Sequence, residues 1–132
     1  MTRLLLDTTF LIDAERSRSD LDEVIGDDDD VAVAAVTVAE LRVGALLADR
    51  QHQAARVAYV QDVISTIPVL DYDLDVAEAH AMLLVEVRAQ GRPRSAHDLM
   101  IAATAKAFDL AVVSADATAF EALSGVTVRT RP

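Results

Sequence analysis

The stretch Arg3-Leu4-Leu5-Leu6-Asp7 is a short, unbroken apolar run closed by a carboxylate. A strand with one wet face alternates apolar and polar residues, whereas a strand covered on both faces is apolar throughout. The run therefore predicts a strand buried on both sides, of the kind found in parallel sheets held between helices. Val31–Val36 is a second such run, and Thr37–Ala48 follows with helical spacing that puts Val38, Leu41, Ala45 and Ala48 on one face. Gln51–Ile67 continues as a helix ended by Pro68, and Val69-Leu70 make a very short strand. Asp73–Gln90 reads as a long amphipathic helix closed by Gly91 and Pro93, and Ala96–Asp109 as an Ala-rich helix. Ala111–Ser114 is a strand, Thr118–Leu123 a short helix and Val126–Thr130 a last strand. Strands separated by helices imply an α/β fold: a short parallel sheet of four or five strands with right-handed crossovers and helices on both faces.

A chain of 132 residues fits one domain, spanning residues 1–132, with a core large enough to need no disulfide. Hydrophobic residues make up 52% and aromatics only 4%, so that core is built from Ala, Val, Leu and Ile. The absence of cysteine excludes a disulfide framework, a thiolate zinc site and a cysteine nucleophile together, and fits a cytoplasmic protein. Leu4-Leu5-Leu6 falls far short of the ~7 to 15 apolar residues of a signal-peptide core, and no run approaches the roughly 20 of a membrane span. The chain is expected to be soluble, unprocessed and away from membranes. Its net charge of −10 argues against holding nucleic acid by a broad basic surface, because phosphate neutralisation supplies most of such affinity. A nucleic-acid enzyme of this charge needs divalent cations or local arginines. The Asp27–Asp30 run reads as a solvated loop before a strand.

Ligands of such sheets bind beyond the carboxyl ends of the strands. Asp7 and Asp116 both fall at or just after strand ends and open into that crevice. Each acid also has a structural explanation. Asp7 suits an N-cap for a helix starting near Thr8, and Asp116 suits a turn. Thr37-Val38-Ala39-Glu40 has the pattern of a capping box, and Ser95-Ala96-His97-Asp98 is a weaker version of it. Four separate caps leave unexplained why all fall on one edge of the sheet. Carboxylates crowded there repel unless a cation is present, and hard oxygen ligands suit Mg²⁺ or Mn²⁺. Such ions lower the pKa of a bound water and stabilise charge developing on a phosphodiester, so phosphodiester hydrolysis is the matching reaction. Asp13 and Glu15 lie further along the first helix, and Asp71, Asp73 and Asp75 complement a helix start; both groups read as structural. His97 reads as a capping or surface group, with contact to substrate phosphate or base as the alternative. His52 and His80 have no acidic companion at a suggestive spacing.

Four segments in order carry a family resemblance: Leu5-Leu6-Asp7-Thr8-Thr9, Val36-Thr37-Val38-Ala39-Glu40-Leu41, His97-Asp98-Leu99-Met100-Ile101-Ala102-Ala103-Thr104-Ala105 and Val112-Val113-Ser114-Ala115-Asp116. In order, spacing and length the chain resembles the PIN-domain ribonucleases, specifically VapC-type toxins of toxin–antitoxin pairs. The resemblance implies a PIN-like three-layer sandwich. It also implies metal-binding and catalytic roles for Asp7, Glu40 and Asp98, with Asp116 at a more variable fourth position. Thr8 and Ser114 would orient acids or water. Family members usually carry an Asp-Phe pair where this chain has Ala119-Phe120, which puts the detail of the fourth site in question. Further implications are a homodimer, a VapB-type antitoxin whose C-terminal segment occupies the groove, and structured RNA, transfer or ribosomal, as substrate. Arg42, Arg88, Arg92 and Arg94 are the local candidates for phosphate contacts, since Arg offers bidentate recognition; at a helix C-terminus they also complement its dipole.

Two other enzyme classes place acids at strand ends. A phosphoacceptor signalling domain needs a paired acid on the first strand and a Lys after the last, but Lys106 falls inside a helix. A haloacid-dehalogenase-like phosphatase needs a second Asp where Thr9 stands. A domain of the same fold acting mainly by binding an antitoxin or another protein is the remaining alternative.

Overall fold

The computed structural model describes residues 2–17 and 29–130. In chain order its elements are β1 (Thr2–Leu6), α1 (Thr8–Arg16), β2 (Asp29–Ala34), α2 (Ala35–Leu47), α3 (Arg50–Thr66) and β3 (Val69–Leu70). They are followed by α4 (Leu74–Gln90), α5 (Ala96–Phe108), β4 (Ala111–Val113), a 3-10 turn (Ala117–Phe120) and β5 (Val128–Arg129). The five strands form one parallel sheet in the order β3-β2-β1-β4-β5. The apolar β1 is thus its centre, with neighbours on both sides.

Alternation along the strands divides the core in two. Leu4 and Leu6 of β1, with Val33 and Val113, pack against Phe10 and Leu11 of α1, Leu41 and Ala45 of α2, and Val60 and Val63 of α3. Leu5, with Ala32, Ala34 and Val112, faces Val76, Ala79, Leu83 and Val87 of α4 and the Ala-rich face of α5. Leu4, Leu5 and Leu6 are all essentially buried, which stabilises the fold by about 1.5–3 kcal/mol for each side chain. No helix among the described residues is long and apolar enough to cross a membrane.

Helix ends follow local chemistry. Asp7, Asp49, Asp73 and Ser95 cap α1, α3, α4 and α5, each accepting the amide three residues on. Gly91 closes α4 in the left-handed conformation, and α3 stops at Ile67, held extended by Pro68. Some boundaries differ from the sequence reading. Helix α2 starts at Ala35, straight out of β2 and without a side-chain cap, so Thr37 is a buried helical residue and the expected capping box is absent. Asp29 and Asp30 belong to β2 rather than to a loop: they pair with Thr2 and Arg3, and Arg3 Nε lies 3.7 Å from Asp30 Oδ2. Asp27 and Asp28 lie outside the described residues. The helix expected at Thr118–Leu123 is a single 3-10 turn, and β5 is only two residues long, because residues 115–127 fold as tight turns around Phe120 and Leu123. His52 does have an acidic companion, its Nδ1 lying 2.8 Å from the capping carboxylate of Asp49.

Candidate active site

After β1 the chain lays β2 and β3 on one side, then returns to place β4 and β5 on the other. The strand order therefore reverses between β1 and β4, and a crevice opens beyond their carboxyl ends. Asp7 ends β1 and Ser114 follows β4; the Asp7 amide donates to Val113 O at 3.0 Å across the gap.

Asp7 is 2% exposed. Its Oδ1 accepts from Phe10 N at 2.9 Å, the N-cap bond of α1. Its Oδ2 accepts from Ser114 Oγ at 2.7 Å. Thr9 Oγ1 lies 2.9 and 3.1 Å from the two oxygens and accepts in turn from Ala115 N. Burial raises the carboxyl pKa above its ordinary value; the Phe10, Ser114 and Thr9 donors work against that, and the negative charge of Asp98 adds to it. Capping and site roles coexist in one side chain: Phe10 N and Thr9 Oγ1 meet Oδ1, while Ser114 Oγ and the same Thr9 hydroxyl meet Oδ2.

Glu40, half-buried on α2, is held from two sides. Thr8 Oγ1, at the start of α1, donates to its Oε1 at 2.8 Å, and the buried Thr37 hydroxyl lies 3.3 Å from Thr8 Oγ1. His97 Nδ1, in the first turn of α5, lies 3.3 Å from Glu40 Oε2. Asp98 is fixed on the same turn by its amide, which donates to Ser95 Oγ at 3.0 Å. Asp116 is exposed; its amide donates to Ser114 Oγ at 2.9 Å, and its Oδ1 accepts from Thr118 Oγ1 at 2.6 Å.

Four elements thus bring their acids to one edge, and short hydroxyl side chains hold three of them, Ser114 linking Asp7 to Asp116 and Thr8 holding Glu40. Asp7, Ser114 and Asp116 form one chain of contacts, and Thr8, Glu40 and His97 another. As they stand, no group of three or more His, Asp or Glu side chains among the described residues is gathered tightly enough to hold a metal ion. The acids are neighbours rather than a preformed cage, since Asp7 is turned to Ser114 and Thr9, and Glu40 to Thr8 and His97.

The arginines divide. Arg42 follows Glu40 by two residues, about 200° around the helix and so on its opposite side. The Arg88 and Arg92 side chains are exposed and make no hydrogen bond or ion pair among the described residues. Arg94 is committed elsewhere, donating to the carbonyls of Ala119, Glu121 and Arg92. Sequence reading passed over Thr9 and Thr37 as site residues. A hydroxyl two residues after a strand-end Asp is a usable signal for Thr9, whereas the part played by Thr37 depends on α1 meeting α2.

Residues 4–125 match the model of the PIN domain. Over 124 residues the chain is 40% identical to ribonuclease VapC5 of Mycobacterium tuberculosis, covering 92% of this chain and 87% of that one. It is 32% identical over 96 residues to the tRNA(fMet)-specific endonuclease VapC of Shigella flexneri, covering 73% and 71%. Among solved structures, that of VapBC-5 from M. tuberculosis, a member of the VapBC family of toxin–antitoxin systems, superposes with a TM-score of 0.78 at 33% identity, covering 96% and 97%. With the fold, the buried Asp7 and the hydroxyl-linked acids at the switch point, these matches establish that the chain belongs to the PIN-domain family, among its VapC ribonucleases.

Proposed function

We propose that this chain is the toxin of a toxin–antitoxin pair, an endoribonuclease that requires Mg²⁺ or Mn²⁺ and hydrolyses phosphodiester bonds in structured RNA, transfer or ribosomal, thereby slowing translation and growth in the cytoplasm. The observation that carries this proposal is Asp7, a carboxylate buried at the centre of the crevice, fixed by three donors and facing the charge of Asp98. A buried, electrostatically opposed carboxylate is costly unless it serves a cation or a reaction. An ion fits the chemistry here, because the donors are hard carboxylate oxygens. Asp7, Glu40 and Asp98 would hold it, with Asp116 at the margin. When bound, the ion supplies an activated water and neutralises charge on the phosphoryl oxygens.

The chain's own residues supply positioning. Ser114, Thr9 and the α1 amide keep the Asp7 carboxylate from rotating, and Thr8 and His97 do the same for Glu40. Arg88 borders a cleft of about 350 Å³ lined also by Leu84, Val87 and Leu99, the residue after Asp98, and would supply a phosphate contact there. A VapB-type antitoxin and a second copy of the chain are the proposed protein partners. Exposed apolar residues are available to them on two faces: Val43, Leu46 and Leu47 on α2, and Leu74, Met82 and Val85 on α4. One observation favours a mainly binding role instead, namely that Asp7 and Glu40 are turned to hydroxyl and imidazole partners and no three acids are gathered together among the described residues.

Cleavage decides between the two. The purified chain is expected to cleave cellular RNA with Mg²⁺ or Mn²⁺ and to stop on chelation. Asp98→Asn is expected to abolish cleavage with the fold intact. Full, metal-independent cleavage by Asp98→Asn would sink the mechanism, and mapping the cut ends identifies the RNA.

A further inference from the structure

The segment from Ala115 to Gly125 carries Asp116 but has little structure of its own. Its one 3-10 turn is closed by Ala119 N donating to Asp116 O at 3.3 Å, and Ala122 sits at φ 60, a conformation that costs a residue with a Cβ roughly 1–2 kcal/mol. Such a strap leaves backbone groups for other elements to satisfy. Three side chains rising from α4 and the loop after it do so. Glu86 accepts from Ser124 N at 3.1 Å and from Ser124 Oγ at 2.9 Å. Gln90, one turn on, donates to Ala122 O at 2.8 Å, at the strained residue itself. Arg94 donates through Nε to Ala119 O at 3.2 Å and through Nη2 to Glu121 O at 2.7 Å, a two-pronged grip that a planar guanidinium can make and an ammonium cannot. At its other end the strap is tied to Asp7 through Ser114.

We propose that Arg94, supported by Gln90 and Glu86, is a positioning residue for Asp116: it locks the strap that sets this carboxylate against the crevice, and does not itself contact RNA. The proposal rests on the ribonuclease function above. It also gives the strap a hold independent of the side chain at position 119, because Arg94 grips the Ala119 backbone carbonyl.

The test is a double-mutant cycle with bulk transfer RNA as substrate and Mg²⁺ present. Arg94→Ala is expected to lower kcat roughly ten- to hundredfold, the scale of misplacement by about an ångström, with KM changed less than about twofold. In an Asp116→Ala background the same change should cost nothing further. Independently of cleavage, amide exchange at residues 117–121 should accelerate in Arg94→Ala while β1 and α1 stay protected. Additive losses in the cycle, a raised KM at unchanged kcat, or unaltered exchange at 117–121 would each overturn the proposal. Should Arg94→Ala not fold, Gln90→Ala removes a single strap bond and carries the same cycle and exchange readout. A wild-type chain that cleaves no RNA refutes the ribonuclease function, and local exchange still decides whether Arg94 holds the strap.

Discussion

Replacing Asp7 by Asn and by Ala separates what its charge does from what its shape does. In Asp7→Asn the amide oxygen still accepts from Phe10 N, and Asn caps helices as well as Asp. Ser114 Oγ, which already accepts from Asp116 N, has a second lone pair for the new NH₂ group, and its proton can turn to Thr9 Oγ1, 3.3 Å away. The buried charge and its repulsion from Asp98 are removed. Stability at pH 7 without metal is therefore expected to stay within about 1 kcal/mol of wild type or to rise. Asp7→Ala loses the cap bond, about 1 kcal/mol, and takes from the buried Ser114 hydroxyl its 2.7 Å acceptor, leaving only the longer contact to Thr9 Oγ1, a further ~1–2 kcal/mol. Relief of the charge offsets part of this, for a net loss of about 1–3 kcal/mol. The sign with pH follows from the raised pKa of Asp7. The unfolded chain releases this proton first, so stability contributed by Asp7 is fully present below its unfolded pKa and is lost as pH rises through the folded one. The Asn variant lacks that loss, and its advantage should grow over the same window. Urea denaturation in chelator, at intervals from about pH 4 to about pH 7.5, measures it. A loss in Asp7→Asn as large as in Asp7→Ala would show that the charge itself stabilises the fold, and a gap independent of pH would show that Asp7 titrates alike in the folded and unfolded chain; either result refutes the reasoning.

Two further substitutions probe other parts of the structure. Thr8→Val keeps the shape at the start of α1 but removes the donor to Glu40 Oε1, and is expected to cost about 1 kcal/mol while lowering kcat for RNA cleavage; wild-type cleavage would remove Thr8 from the site. Phe120→Ala empties the 1%-exposed anchor beneath the strap and is expected to cost about 3–5 kcal/mol in urea unfolding, whereas a cost below about 1 kcal/mol would mean that the strap collapses onto the core without it.

Much of the fold was legible because burial on both faces writes itself into composition. Leu4, Leu5 and Leu6 read as a strand buried on both faces, and the caps Asp73 and Ser95 and the stop at Gly91 act within a turn of their own residue. Boundaries failed where tertiary contacts override local signals. Thr37-Val38-Ala39-Glu40 has the letters of a capping box, yet β2 runs directly into α2, and the Thr37 hydroxyl meets Thr8 instead. Asp29 and Asp30 look like a solvated loop until strand pairing beside Arg3 recruits them.

By itself the sequence determined the alternation of strands and helices, the four acids and the family to which they belong, since each is a matter of residue type and spacing along the chain. Tertiary structure alone decided how those acids are held. The Ser114 bond to Asp7 spans 107 residues, the Thr8 bond to Glu40 spans 32, and the Arg94 grip on the Asp116 strap spans 25 and 27. Such pairings depend on which strands lie side by side and on where helices emerge at a sheet edge. No local periodicity encodes them, because they are set by packing of the whole core.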